Sequence, residues 1–152
     1  MSQKRQPAKN ILLIDDNSDD FQILRRCINT LTLPYRVELI HIDDGEHARQ
    51  YINSINPSDA VKTAMIILDE HFPCVRGLEL LKRIRSNSLL KHTPVIVNTD
   101  NHSERLLSDL YSAGANSVVY KPDSFLDYNR KLKSLVEFWI DFNLPAPVIF
   151  FR

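Results

Sequence analysis

Four short runs in this chain are almost wholly apolar, and each stops on residues with chemistry to offer. Ile11-Leu12-Leu13-Ile14 stops at Asp15-Asp16, and Ala64 to Leu68 stops at Asp69. Pro94 to Val97 stops at Asn98-Thr99, and Val118 to Tyr120 stops at Lys121-Pro122. A strand without polar alternation belongs in a sheet covered on both faces, the usual condition of parallel strands. Tyr35 to Ile42 supplies a further strand, with Val37, Leu39 and Ile40 apolar.

Between these runs the apolar period lengthens to that of a helix. Asn17-Ser18-Asp19-Asp20 carries capping side chains and first-turn acids, and Phe21, Leu24, Ile28 and Leu31 follow at helical spacing. Helices are expected over Glu46 to Ile55, over Leu78 to Arg85, around Leu106 to Tyr111 with a stop near Gly114, and from about Ser124 to Phe142. Asp44-Gly45, Asn56 to Asp59 and Pro73 to Gly77 read as turns and loops. Five alternations of strand and helix predict an α/β fold with a parallel sheet between helical layers. Residues 1–9 are expected as a polar leader, 10–143 as one domain and 144–152 as an apolar tail.

Lysine plus arginine, 19, balance aspartate plus glutamate, 19, so no field of one sign draws the chain to nucleic acid or anionic lipid. No run nears the roughly 18 apolar residues of a membrane span. Two cysteines, Cys27 and Cys74, make no disulfide framework. A cytoplasmic protein is the expectation. The five histidines, His41, His47, His71, His92 and His102, show no zinc-ligand spacing. Lys82-Arg83-Ile84-Arg85 reads as a solvated helix face.

A parallel sheet brings the carboxyl ends of its strands to one rim, where ligands bind in open α/β sheets. That rim would gather Asp15, Asp16, Asp69, Thr99 and Lys121. Crowded carboxylates repel and call for a cation, and an all-oxygen donor set suits Mg²⁺. A carboxylate can also attack phosphorus to form an aspartyl phosphate, with the metal and Lys121 neutralising the phosphoryl oxygens and Thr99 donating a hydrogen bond to the product. Taken singly, each acid is as readily a helix cap. The conjunction at successive strand ends is what argues for a site.

These residues also resemble a known family. Ile11-Leu-Leu-Ile-Asp-Asp16, Ile66-Ile-Leu-Asp69 with Pro73 and Gly77, Pro94-Val-Ile-Val-Asn-Thr99, Ala113-Gly-Ala115 and Lys121-Pro122 occur in the order seen in response-regulator receiver domains, over about residues 10–140. The resemblance implies a flavodoxin-like (βα)5 fold with strand order 2-1-3-4-5. It implies Asp69 as phosphoacceptor, Mg²⁺ held by Asp15, Asp16, Asp69 and the backbone carbonyl of His71, Thr99 as switch hydroxyl and Lys121 as phosphoryl-binding lysine. It further implies a histidine kinase or phosphotransfer protein as donor, and commonly a cis bond before Pro122. Val136-Glu-Phe-Trp139 with Leu144-Pro145 is similar to single-domain regulators that partner phytochrome kinases, which implies a homodimer through the last strand, last helix and tail.

Other features depart from the family pattern. Asp100 follows Thr99 where a small residue is usual, and either faces the site or points to solvent. Val118 stands where an aromatic switch residue is common, and Cys74 and Arg76 stand where a small residue and an acid are frequent. Glu70 adjoins Asp69, though strand alternation should turn it away. The expectation is therefore a phosphorylation-switched signalling protein rather than an enzyme. A pseudo-receiver that no longer switches is the alternative, and a Mg²⁺-dependent phosphohydrolase lacks both a second acid close after Asp69 and a cap.

Overall fold

The structure, a computed structural model, describes residues 8–148. In chain order the elements are β1 Ala8–Ile14, α1 Ser18–Thr30, β2 Arg36–Ile42, α2 Gly45–Ser54, α3 Pro57–Lys62, β3 Thr63–Asp69, α4 Gly77–Ser86, β4 Val95–Thr99, α5 Glu104–Ser112, β5 Ser117–Tyr120 and α6 Phe125–Val136. A π-helical segment, Glu137–Phe142, continues α6. All strand pairs are parallel and lie in the order β2-β1-β3-β4-β5. The chain steps outward from β1 to β2 and then returns across β1 to β3, so strand order reverses at β1 and leaves a crevice at its carboxyl end.

Strand alternation divides the core into two layers. Leu12, Ile14, Ile66, Leu68, Val95 and Val97 pack against α2, α4 and α5 through Ile52, Leu80, Ile84 and Leu110. Ile11, Leu13, Met65, Ile67 and Ile96 pack against α1 and α6 through Leu24, Cys27, Tyr128 and Leu132. β3 is buried along its whole length, as its unbroken apolar run requires.

Several expectations need correction. The first strand starts at Ala8, inside the stretch read as a leader. Lys9 tolerates that position because its ammonium lies 3.8 Å from the Tyr35 ring centroid and 3.2 Å from the Ile140 carbonyl oxygen. Residues 1–7 and the apolar Ile149 to Arg152 lie outside the described residues. The stretch read as a loop at Asn56 to Asp59 opens a helix, α3. Asn56 caps it, accepting from the Asp59 amide at 2.8 Å, and Pro57 takes the first turn. Asn and Pro serve turns and helix starts alike, which is why the pattern misled. The last helix reaches Phe142 as expected, but its final turns are π, marked by the Asn143 amide donating to the Phe138 carbonyl at 2.8 Å. The wider turn buries Ile140 and leaves Phe138 and Phe142 exposed.

The basic stretch of α4 is not uniformly solvated. Arg83 pairs with Glu79 on the surface at 3.4 Å, but Arg85 turns inward and donates to the carbonyls of Gly114 and Thr93 and to the Asn116 side chain. Gly114 has φ +107°, closing α5 with a left-handed residue. No peptide bond among the described residues is cis, so Lys121–Pro122 takes the trans form that X–Pro bonds favour by about 0.5–1 kcal/mol.

Candidate functional site

The sheet register sets the site. Ile14 pairs with Leu68 and Asp69 with Asn98, so Asp15, one residue beyond Ile14, lines up with Asp69 and Asn98 across three strands. Each stands two residues after an apolar residue of the α1/α6 layer (Leu13, Ile67 and Ile96), and alternation turns all three toward that side. Asp15, Asp69 and Asn98 are all buried. Asp16 is exposed at the rim. One carboxylate oxygen from each of Asp15, Asp16 and Asp69 lies within 4.8 Å of the others. That is an all-oxygen, anionic donor set of the kind hard divalent cations take.

Lys121 reaches this cluster from the end of β5. Its backbone amide donates to the Thr99 carbonyl at 2.9 Å, which fixes the residue beside β4. Its Nζ contacts Asp20 at 2.7 Å, Asp15 at 3.2 Å and Asp69 at 3.3 Å. Asp15 Oδ1 accepts the Asn17 amide at 2.8 Å, and Asp69 Oδ1 accepts the His71 amide at 3.1 Å. His41 Nε2 meets the Asp15 carbonyl at 2.7 Å, and Phe21 stacks on the His41 ring.

Burial dominates the electrostatics. It pushes the Asp15 carboxyl up to about 7, with the Lys121 ammonium opposing. Asp69 is raised for the same reason and likewise held back by Lys121. Burial acts on Lys121 in the opposite sense, lowering it, but Asp15, Asp20 and Asp69 outweigh this and hold the ammonium well above its ordinary value. One ammonium among the carboxylates of Asp15, Asp16, Asp20 and Asp69 leaves an excess of negative charge.

The loop after β3 is folded hard against the acceptor. A Cβ on Gly77 would lie 2.6 Å from the Asp69 carbonyl oxygen and 2.6 Å from the Glu70 Cα, so no larger residue fits there without moving Asp69. Phe72 and Val75 are buried and anchor this loop. The exposed His71 meets Asp69 through its amide. Thr99 is buried at the end of β4, where its Oγ1 accepts the Asn101 amide at 3.0 Å.

The residues expected from sequence are thus gathered at one rim. Asp15, Asp16, Asp69 and Lys121 converge directly, while Thr99 and His71 flank them. An acid in the first turn of a helix reads as a cap, so the sequence by itself does not mark Asp20 as a site residue. Of the acids that depart from the family pattern, neither Glu70 nor Asp100 joins the cluster. Asp100 is exposed, and Glu70 is buried with its carboxylate 3.5 Å from Arg76. Val118 is half-buried, and its amide is taken by the Tyr111 hydroxyl at 3.2 Å. Tyr120 stacks on His102, with ring centroids 4.2 Å apart.

Comparison with known proteins agrees with this geometry. A family model for the response regulator receiver domain matches residues 11–131. Response regulator Rcp1 of Synechocystis sp. is 30% identical over 154 residues, covering 96% of this chain and 99% of its own. The probable methanogenesis regulatory protein FilR2 of Methanothrix harundinacea is 32% identical, covering 90% and 88%. Among solved structures, the phosphorylated cyanobacterial phytochrome response regulator RcpA superposes with a TM-score of 0.81 at 26% identity, covering 92% of this chain and 99% of that one. The Mn²⁺-bound form of Rcp1 superposes with a TM-score of 0.79 at 24% identity, covering 91% and 99%. With the flavodoxin-like strand order in place and the family model running from β1 into α6, the chain belongs to the response regulator receiver domains of two-component signal transduction.

Proposed function

We propose that this receiver takes up a phosphoryl group on Asp69. The observation that carries the reading is the convergence of Asp15, Asp16 and Asp69 on one point, with the Lys121 ammonium bridging two of them. An Asp69 carboxylate oxygen attacks phosphorus, the new P–O bond forms, and the bond to the donor breaks with its electron pair leaving on the donor. For a phosphohistidine donor, the leaving group is the imidazole of a histidine kinase or phosphotransfer protein. Asp15, Asp16, Asp69 and the His71 carbonyl would hold Mg²⁺, whose chemistry is to neutralise the phosphoryl oxygens. Lys121 moves from its carboxylate partners to a phosphoryl oxygen, and the Thr99 hydroxyl donates a second hydrogen bond.

The phosphorylated form then biases an equilibrium between surface conformations rather than turning over a substrate. The likeness to the cyanobacterial phytochrome response regulator RcpA supports a phytochrome-type kinase as donor. Phe138 is exposed and lines a groove with the edge strand β5, and Phe142 and Leu144 are exposed further along the chain, which supports a homodimer through β5, α6 and the following segment. No helix among the described residues is long and apolar enough to cross a membrane, in keeping with action in the cytoplasm. The pseudo-receiver alternative rests on Asp100 and Val118, and Asp100 is not among the clustered carboxylates.

Incubation with Mg²⁺ and acetyl phosphate, followed by intact mass, tests the reading. Wild type gains one phosphoryl group and Asp69→Asn gains none. An adduct of equal yield on Asp69→Asn would remove Asp69 from the role.

A further inference from the structure

Asp20 occupies the third position of α1, after the cap Asn17. An acid there ordinarily reaches back to the backbone N–H of the cap residue. Here that N–H is already taken, because the Asn17 amide donates to Asp15 Oδ1 at 2.8 Å. Asp20 is freed from capping, lies 8% exposed, and makes the shortest of the Lys121 contacts, 2.7 Å against 3.2 Å to Asp15 and 3.3 Å to Asp69.

We propose that Asp20 is a positioning residue for Lys121, taking the shortest of its three contacts and so loosening the hold of the resting ammonium on the Asp15 and Asp69 oxygens, for which a divalent cation competes. The inference rests on the reading of Asp15, Asp16 and Asp69 as the metal-holding cluster of the phosphoacceptor site. The ammonium carries three N–H donors, and a cation competes with it for the same carboxylates. The Asp15 and Asp69 oxygens that Lys121 approaches belong to residues of that cluster, and Asp20 does not. A partner outside the cluster takes the shortest contact and leaves the longer ones, 3.2 Å and 3.3 Å, to Asp15 and Asp69, so the ammonium stays near enough to reach a phosphoryl group on Asp69 while its bonds to the cluster are the easier to break. Without the Asp20 charge, Lys121 has its strongest remaining attraction to Asp15 and Asp69. It would draw closer to them, and an arriving cation would have more to displace.

Competition of this kind predicts non-additivity, which a general loss of charge does not. Mg²⁺ affinity is measured by titration calorimetry on wild type, Asp20→Asn, Lys121→Gln and the double variant, with far-UV circular dichroism confirming the fold of each. Asp20→Asn is expected to weaken Mg²⁺ binding by about tenfold while Lys121 is present, and by no more than about threefold in the Lys121→Gln background. Asp20→Glu, which restores the charge, is expected to recover most of the loss. Equal weakening in both backgrounds would overturn the proposal, since Asp20 would then act by charge alone. So would unchanged affinity in Asp20→Asn. If Asp20→Asn does not fold, Asp20→Ser carries the same cycle.

Intact-mass phosphorylation of wild type separates this inference from the reading beneath it. An adduct on Asp69 together with an additive cycle leaves the phosphoacceptor standing and removes the role of Asp20. A non-additive cycle without any adduct leaves Asp20 positioning Lys121 and removes the phosphoacceptor.

Discussion

Asp15 shows how one buried side chain couples function to stability. Its carboxyl sits near 7 in the folded protein against 3.8 for an ordinary aspartate, chiefly because it is out of water. Between those values the folded state keeps a proton that the unfolded chain has released, so the contribution of Asp15 to stability falls as pH rises from about 4 to about 7. Asp15→Asn keeps the volume and cannot ionise. In metal-free buffer it is expected to melt a few degrees above wild type at pH 8, with the gap narrowing toward pH 5. A gap of the same size at both pH values would mean that Asp15 is not its source. The site holds this cost because crowded carboxylates, costly alone, are what a divalent cation binds.

At the scale of elements, the turns flanking β4 are held largely by one side chain, that of Arg85. From α4 it donates to the Gly114 carbonyl at 2.9 Å, the Thr93 carbonyl at 2.7 Å and Asn116 Oδ1 at 2.7 Å, tying the turns on either side of β4 to one guanidinium. Asn116 in turn accepts the Val95 amide at 2.9 Å, so the bracket reaches the first residue of β4. Arg85→Ala leaves these acceptors without their donor and is expected to cost about 2–3 kcal/mol. Urea denaturation would read this as a lower midpoint at unchanged slope. Arg85→Lys, with a point charge in place of a planar fork, should recover less than half of the loss. A midpoint unchanged in Arg85→Ala would show that water replaces the guanidinium without penalty.

At the scale of the whole molecule, the sheet's edges are where another chain could add. β2 and β5 are the outer strands, and β5 is short and only half-buried. Tyr111 blunts it by covering the Val118 amide. Phe138 lines a groove beside it, 49% exposed, and the π turn further sets out Phe142, 71% exposed, ahead of Leu144 at 92%. If these residues bury a second copy, wild type sediments as a dimer at micromolar concentration. The double substitution Phe138→Ser with Phe142→Ser then sediments as a monomer with its circular dichroism unchanged. A wild type that stays monomeric at every concentration would remove the homodimer.

The apolar runs and what ends them made most of this legible in advance. Unbroken Ile, Leu and Val stretches can be satisfied only inside a two-sided sheet, and the strand ends then had to share a rim. Asp15, Asp16, Asp69, Thr99 and Lys121 therefore fall at that rim on sequence grounds alone, because period and position decide them locally. Tertiary structure decided what local rules leave degenerate. Asn56-Pro57 serves a turn or a helix start equally well, and only the burial of Ala60 selects the helix α3. An arginine on a basic helix face turns inward only when carbonyls wait for it, as they do for Arg85. Asp20 reads as a cap until Asp15 takes the amide it would have capped. In each case the residue has several acceptable partners, and the one it keeps is set by which distant groups the fold brings within reach.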